Sequence, residues 1–153
     1  MTTIEDKLRG LNLELPHAPK PVGNYRPARR VGNLVFTSGQ TARLNGVRRY
    51  VGKVGKDVSP EDAYLSARDA ALNCLACVKS VAGSLDRVRS VVKATGFVNC
   101  VDGFERQPEV INGASDLIEK LWGEVGAHAR SAIGVNALPH NVSVELELIV
   151  EVE

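Results

Sequence analysis

The C-terminal stretch HARSAIGVNALPHNVSVELELIVEVE, residues 128–153, decides the fold class of this chain. Its last eleven residues alternate between apolar and polar side chains, with Ile149 as the exception, which is typical of a strand with one buried side. Residues 130–138 alternate in the same way, and a turn with a Leu-Pro pair separates the two runs. Two neighbouring strands are therefore predicted, with Arg130 and Glu145 pointing toward one polar, small-residue surface.

Length and composition describe one ordinary globular domain. The chain has 153 residues, of which 44% are hydrophobic and 24% charged, enough for one core but not for two. No apolar run reaches the roughly 20 residues of a membrane helix, and the N-terminus lacks the apolar centre of a signal peptide. A cytoplasmic protein without a membrane partner is expected. The formal net charge of +1 argues against nucleic acid as its main partner.

The cysteines and histidines predict no metal site. Cys74 and Cys77 form a CxxC, but the pair lies inside the helical pattern DAALNCLACVKSV, where this spacing places both thiols on one apolar stripe. No second CxxC and no nearby histidine completes a zinc site. Together with Cys100 the count is odd, and structural disulfides are not expected. Loop or surface positions are expected for His17, His128 and His140.

Turn, cap and periodicity signals give an order of elements. Ser59 as N-cap, Pro60 at the first helical position and Asp62 two residues further predict a helix from about 60 to 82. A hairpin or irregular loop is expected around the Asn45-Gly46 pair. The remaining predictions are a short helix within 4–15, an extended stretch over 16–30, strands in 33–41 and 87–99, a second long helix within 103–125, and the two final strands.

That order predicts an α+β fold, a two-layer sandwich. Two long helices can cover one face of a sheet of about four to six strands. The other face combines apolar with small and polar residues, and part of it would be exposed in a monomer. Self-association into a closed symmetric ring would cover this face, and a polar pocket is expected at such a seam.

The chain resembles the RidA/YjgF reactive-intermediate deaminase family over about residues 20–152. The motifs that carry the resemblance are VGNYRPARRVGNLVFTSGQ, SPEDAYLSARDAALNCL, VVKATGFVNCVDGF, VIN and, above all, ARSAIGVNALPHNVSVELELIV. Residues 1–19 are interpreted as an N-terminal extension and residues 20–153 as the RidA/YjgF-like domain. The resemblance implies a chorismate-mutase-like homotrimer with a mixed sheet and with clefts between subunits.

The resemblance also implies roles for individual residues. Arg130 matches the residue that holds the substrate carboxylate, and Glu145 matches the acid that positions or activates the attacking water. A guanidinium fork binds a carboxylate at two points, and a glutamate in a partly dry cleft can have a raised pKa. Where many relatives carry a cysteine, this chain has Ala132, which offers its backbone and no thiol. The cleft-lining, substrate-binding positions implied are Tyr25, Ser38, Asn112 and Ala132.

Structural roles compete with these functional ones. Arg130 could instead form a surface ion pair with Glu145 or Glu147, and Ser38 or Asn112 could cap a turn or a helix. The motif GNYRPA replaces the commoner GPYSQA and places Arg26 near the mouth of the cleft. These departures indicate a divergent subgroup of the family.

The function implied is the hydrolytic deamination of short 2-imino or 2-enamino acids to 2-oxo acids and ammonium. No cofactor is required, because a protonated imine is already electrophilic. One alternative is a ligand-sensing or chaperone-like trimer that binds a carboxylate metabolite without turning it over. Another is RNA binding or cleavage by the basic stretch of Arg43, Arg48, Arg49, Tyr50, Lys53 and Lys56, which a solvated hairpin explains as well.

Overall fold

The computed structural model describes residues 1–20 and 23–153. The main element of the fold is a five-stranded mixed sheet. The strands are β1 Ala28–Val31, β2 Leu34–Thr37, β3 Arg43–Leu44, β4 Val47–Arg48, β5 Val88–Asn99, β6 Ala129–Val135 and β7 Val144–Val152. The large sheet has the order β1-β2-β7-β5-β6, in which only β5 and β6 run parallel. Strands β3 and β4 form the separate hairpin that the Asn45-Gly46 pair predicts.

The strand order corrects one prediction from the sequence. The strands that contain Arg130 and Glu145 were expected to be neighbours, and this is wrong, because β5 lies between β6 and β7. A parallel pair requires a crossover, and the segment from β5 through the second long helix supplies it. β7 then returns antiparallel on the other edge of β5. β1, in the stretch expected to be extended, is a short strand that the sequence analysis did not identify.

Three α-helices accompany the sheet: α1 Ile4–Gly10, α2 Pro60–Ala82 and α3 Gln107–Trp122. The Ser59 side chain accepts a hydrogen bond of 3.1 Å from the Asp62 amide, which confirms the predicted start of α2. α3 begins with a proline in its first turn and is followed directly by Gly123, whose φ of 61° suits a glycine. Among the described residues, no helix has both the length and the apolar character needed to span a bilayer.

The core lies between one face of the sheet and the helices α2 and α3. Ala94 and Val98 of β5 and Leu146 and Leu148 of β7 are fully or almost fully buried on this face. The packed helix residues include Leu75, Val78, Ile111, Ile118 and Leu121. Helix α1 joins the same core through Ile4 and Leu8. The large alternating side chains of β7 therefore face the helices, and its glutamates face away.

Both thiols of the CxxC motif belong to this core, as their helical spacing predicts. Cys74 and Cys77 are fully buried on α2. Burial raises the pKa of the Cys77 thiol to about 12 and raises the pKa of Cys74 as well. Neither sulfur is a thiolate at neutral pH, so the pair has a packing role rather than a redox role.

The opposite face of the sheet is open and partly apolar. Leu34, Phe36 and Ile133 are 37%, 38% and 47% exposed there, between the glutamates of β7 and the polar residues of β5. The sequence analysis predicts this mixture of apolar and polar side chains. Exposed apolar side chains that share one sheet face are typical of a surface that associates with another protein.

The close approach of α2 and α3 depends on Gly113. A Cβ atom at this position would lie 1.9 Å from the Tyr64 carbonyl oxygen, which belongs to the α2 backbone and cannot turn aside. We expect Gly113→Ala to lower the free energy of unfolding by about 1–3 kcal/mol, because the two helices must separate. This loss is net of the roughly 1 kcal/mol that alanine gains over glycine in a helix.

The measurement is a urea denaturation curve, with Gly10→Ala as the matched control. Gly10 ends α1, and a Cβ atom there meets nothing within 4 Å. The control should retain or slightly increase stability. Equal midpoints for Gly113→Ala and the wild type would show that the helices adjust without cost.

Candidate functional site

The Arg130 guanidinium lies at the edge of the sheet, on the side of the helices. Its Nη1 donates to Asn112 Oδ1 at 2.7 Å and to Ser115 Oγ at 3.1 Å, and both acceptors are on α3. The alternative of an ion pair with Glu145 or Glu147 is wrong, because no carboxylate of the described residues lies within 4.0 Å of this guanidinium. Within the described residues, Nε and Nη2 have no hydrogen-bond partner. Nε and Nη2 of Arg130 are therefore able to donate hydrogen bonds to a ligand.

A second layer of hydrogen bonds connects Arg130 to His128. The His128 Nδ1 atom is 2.7 Å from the Gly126 carbonyl oxygen, so this nitrogen carries the proton and donates. Nε2 of the neutral ring is then an acceptor, and it lies 2.9 Å from Ser115 Oγ. The Ser115 hydroxyl donates to this nitrogen and accepts from Arg130. Asn112, Ser115, His128 and Arg130 also line a groove of about 560 Å³, with Glu119 and Glu124 among its other residues.

Glu145 lies on the open face of the sheet beside a glycine. A Cβ atom on Gly39 would come within 2.8 Å of the Glu145 carboxyl group, so the absence of a side chain at Gly39 makes room for this acid. Two backbone bonds between Gln40 and Leu146, of 2.8 and 2.9 Å, hold the segment in place. Partial burial, and to a lesser extent the Glu147 carboxylate, raise the pKa of Glu145 above its usual range.

The folded chain does not bring Arg130 and Glu145 to a common surface, and this prediction is wrong. Arg130 is in register with Ala94 of β5 and contacts α3, whereas Glu145 is in register with Phe97 and faces away from the helices. Arg130 and Glu145 are therefore offset by three residues along the strands and by two strand spacings across the sheet. Standard strand geometry makes each offset about 10 Å. The chain therefore carries two separate groups of predicted site residues.

The other predicted residues divide between these groups. Asn112 contacts Arg130 directly, and Ala132 shares the helix side of β6 with it. Ser38 precedes Gly39 and lies near Glu145, and its Oγ donates to the Arg26 carbonyl at 2.6 Å. Tyr25, next to Arg26, is 60% exposed. We call Arg130, Asn112 and Ala132 the arginine half-site, and Ser38 and Glu145 the glutamate half-site. The place of Tyr25 in the site stays a prediction.

Comparisons with known proteins agree with this architecture. The family described as "YjgF/chorismate_mutase-like, putative endoribonuclease" matches residues 5–152. The chain belongs to the YjgF/RidA family. The mixed sheet and its helices are accordingly the chorismate-mutase-like α+β fold of YjgF/RidA proteins.

Individual YjgF/RidA relatives place the chain in a divergent subgroup. The crystal structure of Atu1372 from Agrobacterium tumefaciens, a protein described as having unknown function, is 44% identical, with a TM-score of 0.92 over 98% of this chain and 92% of that one. Protein TCP17 of Trypanosoma cruzi is 38% identical over 97% of this chain and 93% of its own length. The 2-iminobutanoate/2-iminopropanoate deaminase of Dermatophagoides farinae is 30% identical, over 92% and 95% of the respective chains.

Three residues near the YjgF/RidA half-sites were not identified from the sequence. Ser115 lies one helical turn after Asn112, a spacing that places both side chains on one face of α3. His128 lies two residues before Arg130, and side chains two residues apart in an extended segment point to the same side. Gly39 follows Ser38 directly. The spacing of these residues from the predicted site residues could have indicated each of them. Only the position of α3 over β6, however, shows that Ser115 and His128 contact one another.

Two cations of the basic stretch around the hairpin are engaged in contacts within the chain. Lys53 Nζ donates to Asn99 Oδ1 at 2.9 Å and to the Asn136 carbonyl, so its charge is used between loops. Arg49 lies 3.5 Å from Asp69 and stacks on Tyr50. Lys53 and Arg49 therefore have structural roles in this part of the chain.

Proposed function

We propose that this protein hydrolyses reactive 2-imino and 2-enamino acids to 2-oxo acids and ammonium in the cytoplasm. The observation that carries the proposal is the Arg130 guanidinium, which Asn112 and Ser115 hold through Nη1 while Nε and Nη2 have no partner among the described residues. That arrangement suits a small carboxylate, which binds a guanidinium fork at two points. The named activity of the D. farinae relative, an iminobutanoate and iminopropanoate deaminase, supports the same chemistry.

The complete site would form between subunits of a homotrimer. Arg130 and Glu145 lie on opposite faces of one sheet, so a substrate that contacts both needs the arginine half-site of one subunit and the glutamate half-site of its neighbour. The open face, with Phe36 and Ile133 exposed, is the surface that such a ring would cover. In a closed ring every subunit supplies one half of each of two clefts.

The reaction needs water and a proton carrier. With the substrate carboxylate on Arg130, a water molecule attacks C2 of the protonated imine, and the ionised Glu145 accepts a proton from that water. That proton then passes to the amino nitrogen of the tetrahedral intermediate, and the C2–N bond breaks to release ammonia. Glu145 takes the proton of the C2 hydroxyl as the carbonyl forms and passes it to ammonia, so the 2-oxo acid and ammonium leave. An enamine first takes a proton at C3 to become the imine. The raised pKa of Glu145 suits both the acceptance and the donation of the proton.

The direct test follows the decay of an imine. An amino-acid oxidase or dehydratase generates 2-iminopropanoate or 2-iminobutanoate, and semicarbazide traps the imine that remains. We expect added protein to shorten the lifetime of the imine. Saturable binding of 2-oxobutanoate without faster decay of any imine in a panel of side chains would favour the binding-only alternative.

The assembly is tested separately by light scattering. We expect a species near three times the subunit mass of 16.4 kDa, because the open sheet face is partly apolar. Phe36→Lys, which places a charge on that face, should shift the population to monomers and abolish deamination together. A stable monomer of the wild type at micromolar concentration would contradict the inter-subunit cleft.

A further inference from the structure

A cavity of about 760 Å³ lies beside α2 and shares no lining residue with the Arg130 groove. Its walls come from Arg9 and residues 12–17, from residues 43–49 in and after the β3–β4 hairpin, and from residues 68–73 of α2. We call it the N-terminal groove, because the segment after α1 closes one side of it. Its volume falls within the range of roughly 300–1,000 Å³ that small-molecule sites occupy.

The charge inside the N-terminal groove is unbalanced. Its four arginines, Arg9, Arg43, Arg49 and Arg68, face two carboxylates, Glu14 and Asp69. Asp69, with a side chain only 11% exposed, is 2.9 Å from Arg68 and 3.5 Å from Arg49 and so holds both guanidinium groups. Arg9 pairs with Asp6, outside the groove. Arg43 has no ion-pair partner among the described residues.

The position of Arg43 in the hairpin carries an electrostatic cost. Arg43 is directly opposite Arg48 in the β3–β4 register, and like charges at such a position are destabilising. The hairpin nevertheless has a fixed place on α2, because Asn73 Nδ2 donates to the carbonyls of Thr41 and Arg43, both at 2.8 Å. A bound anion would relieve this repulsion.

We propose that the N-terminal groove binds a small phosphorylated molecule. The phosphate would lie against Arg43 and the guanidinium groups that Asp69 holds, since arginine forks suit phosphate oxygens. The apolar walls of Leu13, Leu44 and Leu72 would contact an organic part of the ligand. A small ligand fits better than an RNA strand, because residues 12–17 close one side of the groove and, among the described residues, no aromatic side chain of Phe, Tyr or Trp lines it.

Isothermal titration with 5′-AMP and inorganic phosphate tests the groove in the full chain. We expect saturable binding of one AMP per chain, tighter than that of inorganic phosphate because of the leucine walls. Arg43→Gln should weaken AMP binding about tenfold. The matched control is Arg89→Gln, which removes the same charge from an exposed residue of β5 outside the groove.

Each outcome of this titration decides the proposal. No saturable binding of either probe, or equal weakening by both substitutions, would overturn it. So would tight binding of a single-stranded oligonucleotide that AMP does not displace, which would identify a polyanion surface instead. AMP should also raise the unfolding midpoint of the wild type more than that of Arg43→Gln. The result does not depend on deaminase activity.

A different observation, the hydrogen-bond chain from Gly126 to Arg130, carries a second inference. We infer that Ser115 and His128 position Arg130 for the substrate carboxylate, an inference that rests on the proposed function. Gly126 is a rigid anchor, since a Cβ atom there would lie 2.9 Å from the Ile118 carbonyl oxygen. The anchored His128 orients the Ser115 hydroxyl, whose oxygen then accepts from Nη1 and turns Nε and Nη2 toward the groove.

A double-mutant cycle tests this chain, with the affinity for 2-oxobutanoate and the separate values of KM and kcat as readouts. We expect Ser115→Ala and His128→Phe each to weaken binding and raise KM roughly fivefold to tenfold while kcat changes little. The double variant should be no worse than either single one, because the residues act as a unit. His128→Gln, which keeps an acceptor, should recover part of the affinity.

The outcomes separate this inference from the proposed function. Wild-type protein that binds no 2-oxo acid and deaminates no imine would contradict the proposed function itself. Active wild-type protein with unchanged KM in Ser115→Ala and His128→Phe would leave the deaminase intact and overturn the positioning role. Additive losses in the double variant would also overturn it.

Discussion

Glu145→Gln is expected to lower kcat for the proposed imine hydrolysis by about a hundredfold or more, while the proposed trimer and the binding of 2-oxobutanoate are retained. Glutamine keeps the shape of the side chain beside Gly39, but it cannot accept the proton of the attacking water. Positioned general acid–base groups typically contribute 10²–10⁴-fold to a rate. The measurement is the decay of 2-iminobutanoate at saturating substrate, together with calorimetric titration of the 2-oxo acid.

The raised pKa of Glu145 gives this prediction a second, independent readout. A carboxyl group whose pKa is higher in the folded than in the unfolded protein favours folding only while it is protonated, and that contribution is lost as the pH rises through the folded-state pKa. Above that pH, Glu145→Gln should be at least as stable as the wild type. A catalytic role thus predicts lost activity with equal or greater stability.

Glu147→Gln is the matched control for this variant. Glu147 is on the same strand and face, and its charge contributes to the raised pKa of Glu145. Its removal should keep activity and shift the acidic limb of the pH–rate profile toward lower pH. Equal losses of kcat in both glutamine variants would indicate that the charge of the face, rather than proton transfer by Glu145, supports the reaction.

Local signals predict the elements of this fold well because the interactions that they report are local. The start of α2 was predictable because Ser59, Pro60 and the Asp62 amide satisfy the first helical turn within four residues. The face of β7 was predictable because large apolar side chains alternate with glutamates. Both inferences require only neighbours in the sequence.

The composition of the half-sites was not predictable in the same way. β6 carries small residues on both faces, so its alternation does not indicate which face meets the helices. Arg130 faces α3 because Asn112 and Ser115 accept its hydrogen bonds there, and that contact joins residues 15 and 18 positions apart. The insertion of β5 between β6 and β7 is a property of the sheet order, which a period of two does not encode. The family resemblance supplied the predicted site residues, and the tertiary structure divides them into two groups.

Arg130→Lys is expected to raise KM for imines and the dissociation constant of 2-oxobutanoate about ten- to hundredfold, with the trimer retained. An ammonium group has three N–H donors, and Asn112 Oδ1 and Ser115 Oγ can occupy two of them. At most one donor then remains for the substrate carboxylate, in place of the planar pair of Nε and Nη2. The loss of one charge-assisted hydrogen bond, about 1.5–3 kcal/mol, gives the stated range.

The acceptors on α3 also explain why this substitution should leave the fold intact. Lysine keeps the positive charge and supplies donors to both acceptors, so no buried polar atom loses its partner. The control is Arg106→Lys, which replaces an exposed arginine that pairs with Glu109 at 2.8 Å in the first turn of α3. Urea midpoints and light scattering should show no change for either variant. A folded trimeric Arg130→Lys protein with wild-type KM would end the role of the guanidinium fork, because lysine cannot reproduce its two parallel bonds to a carboxylate.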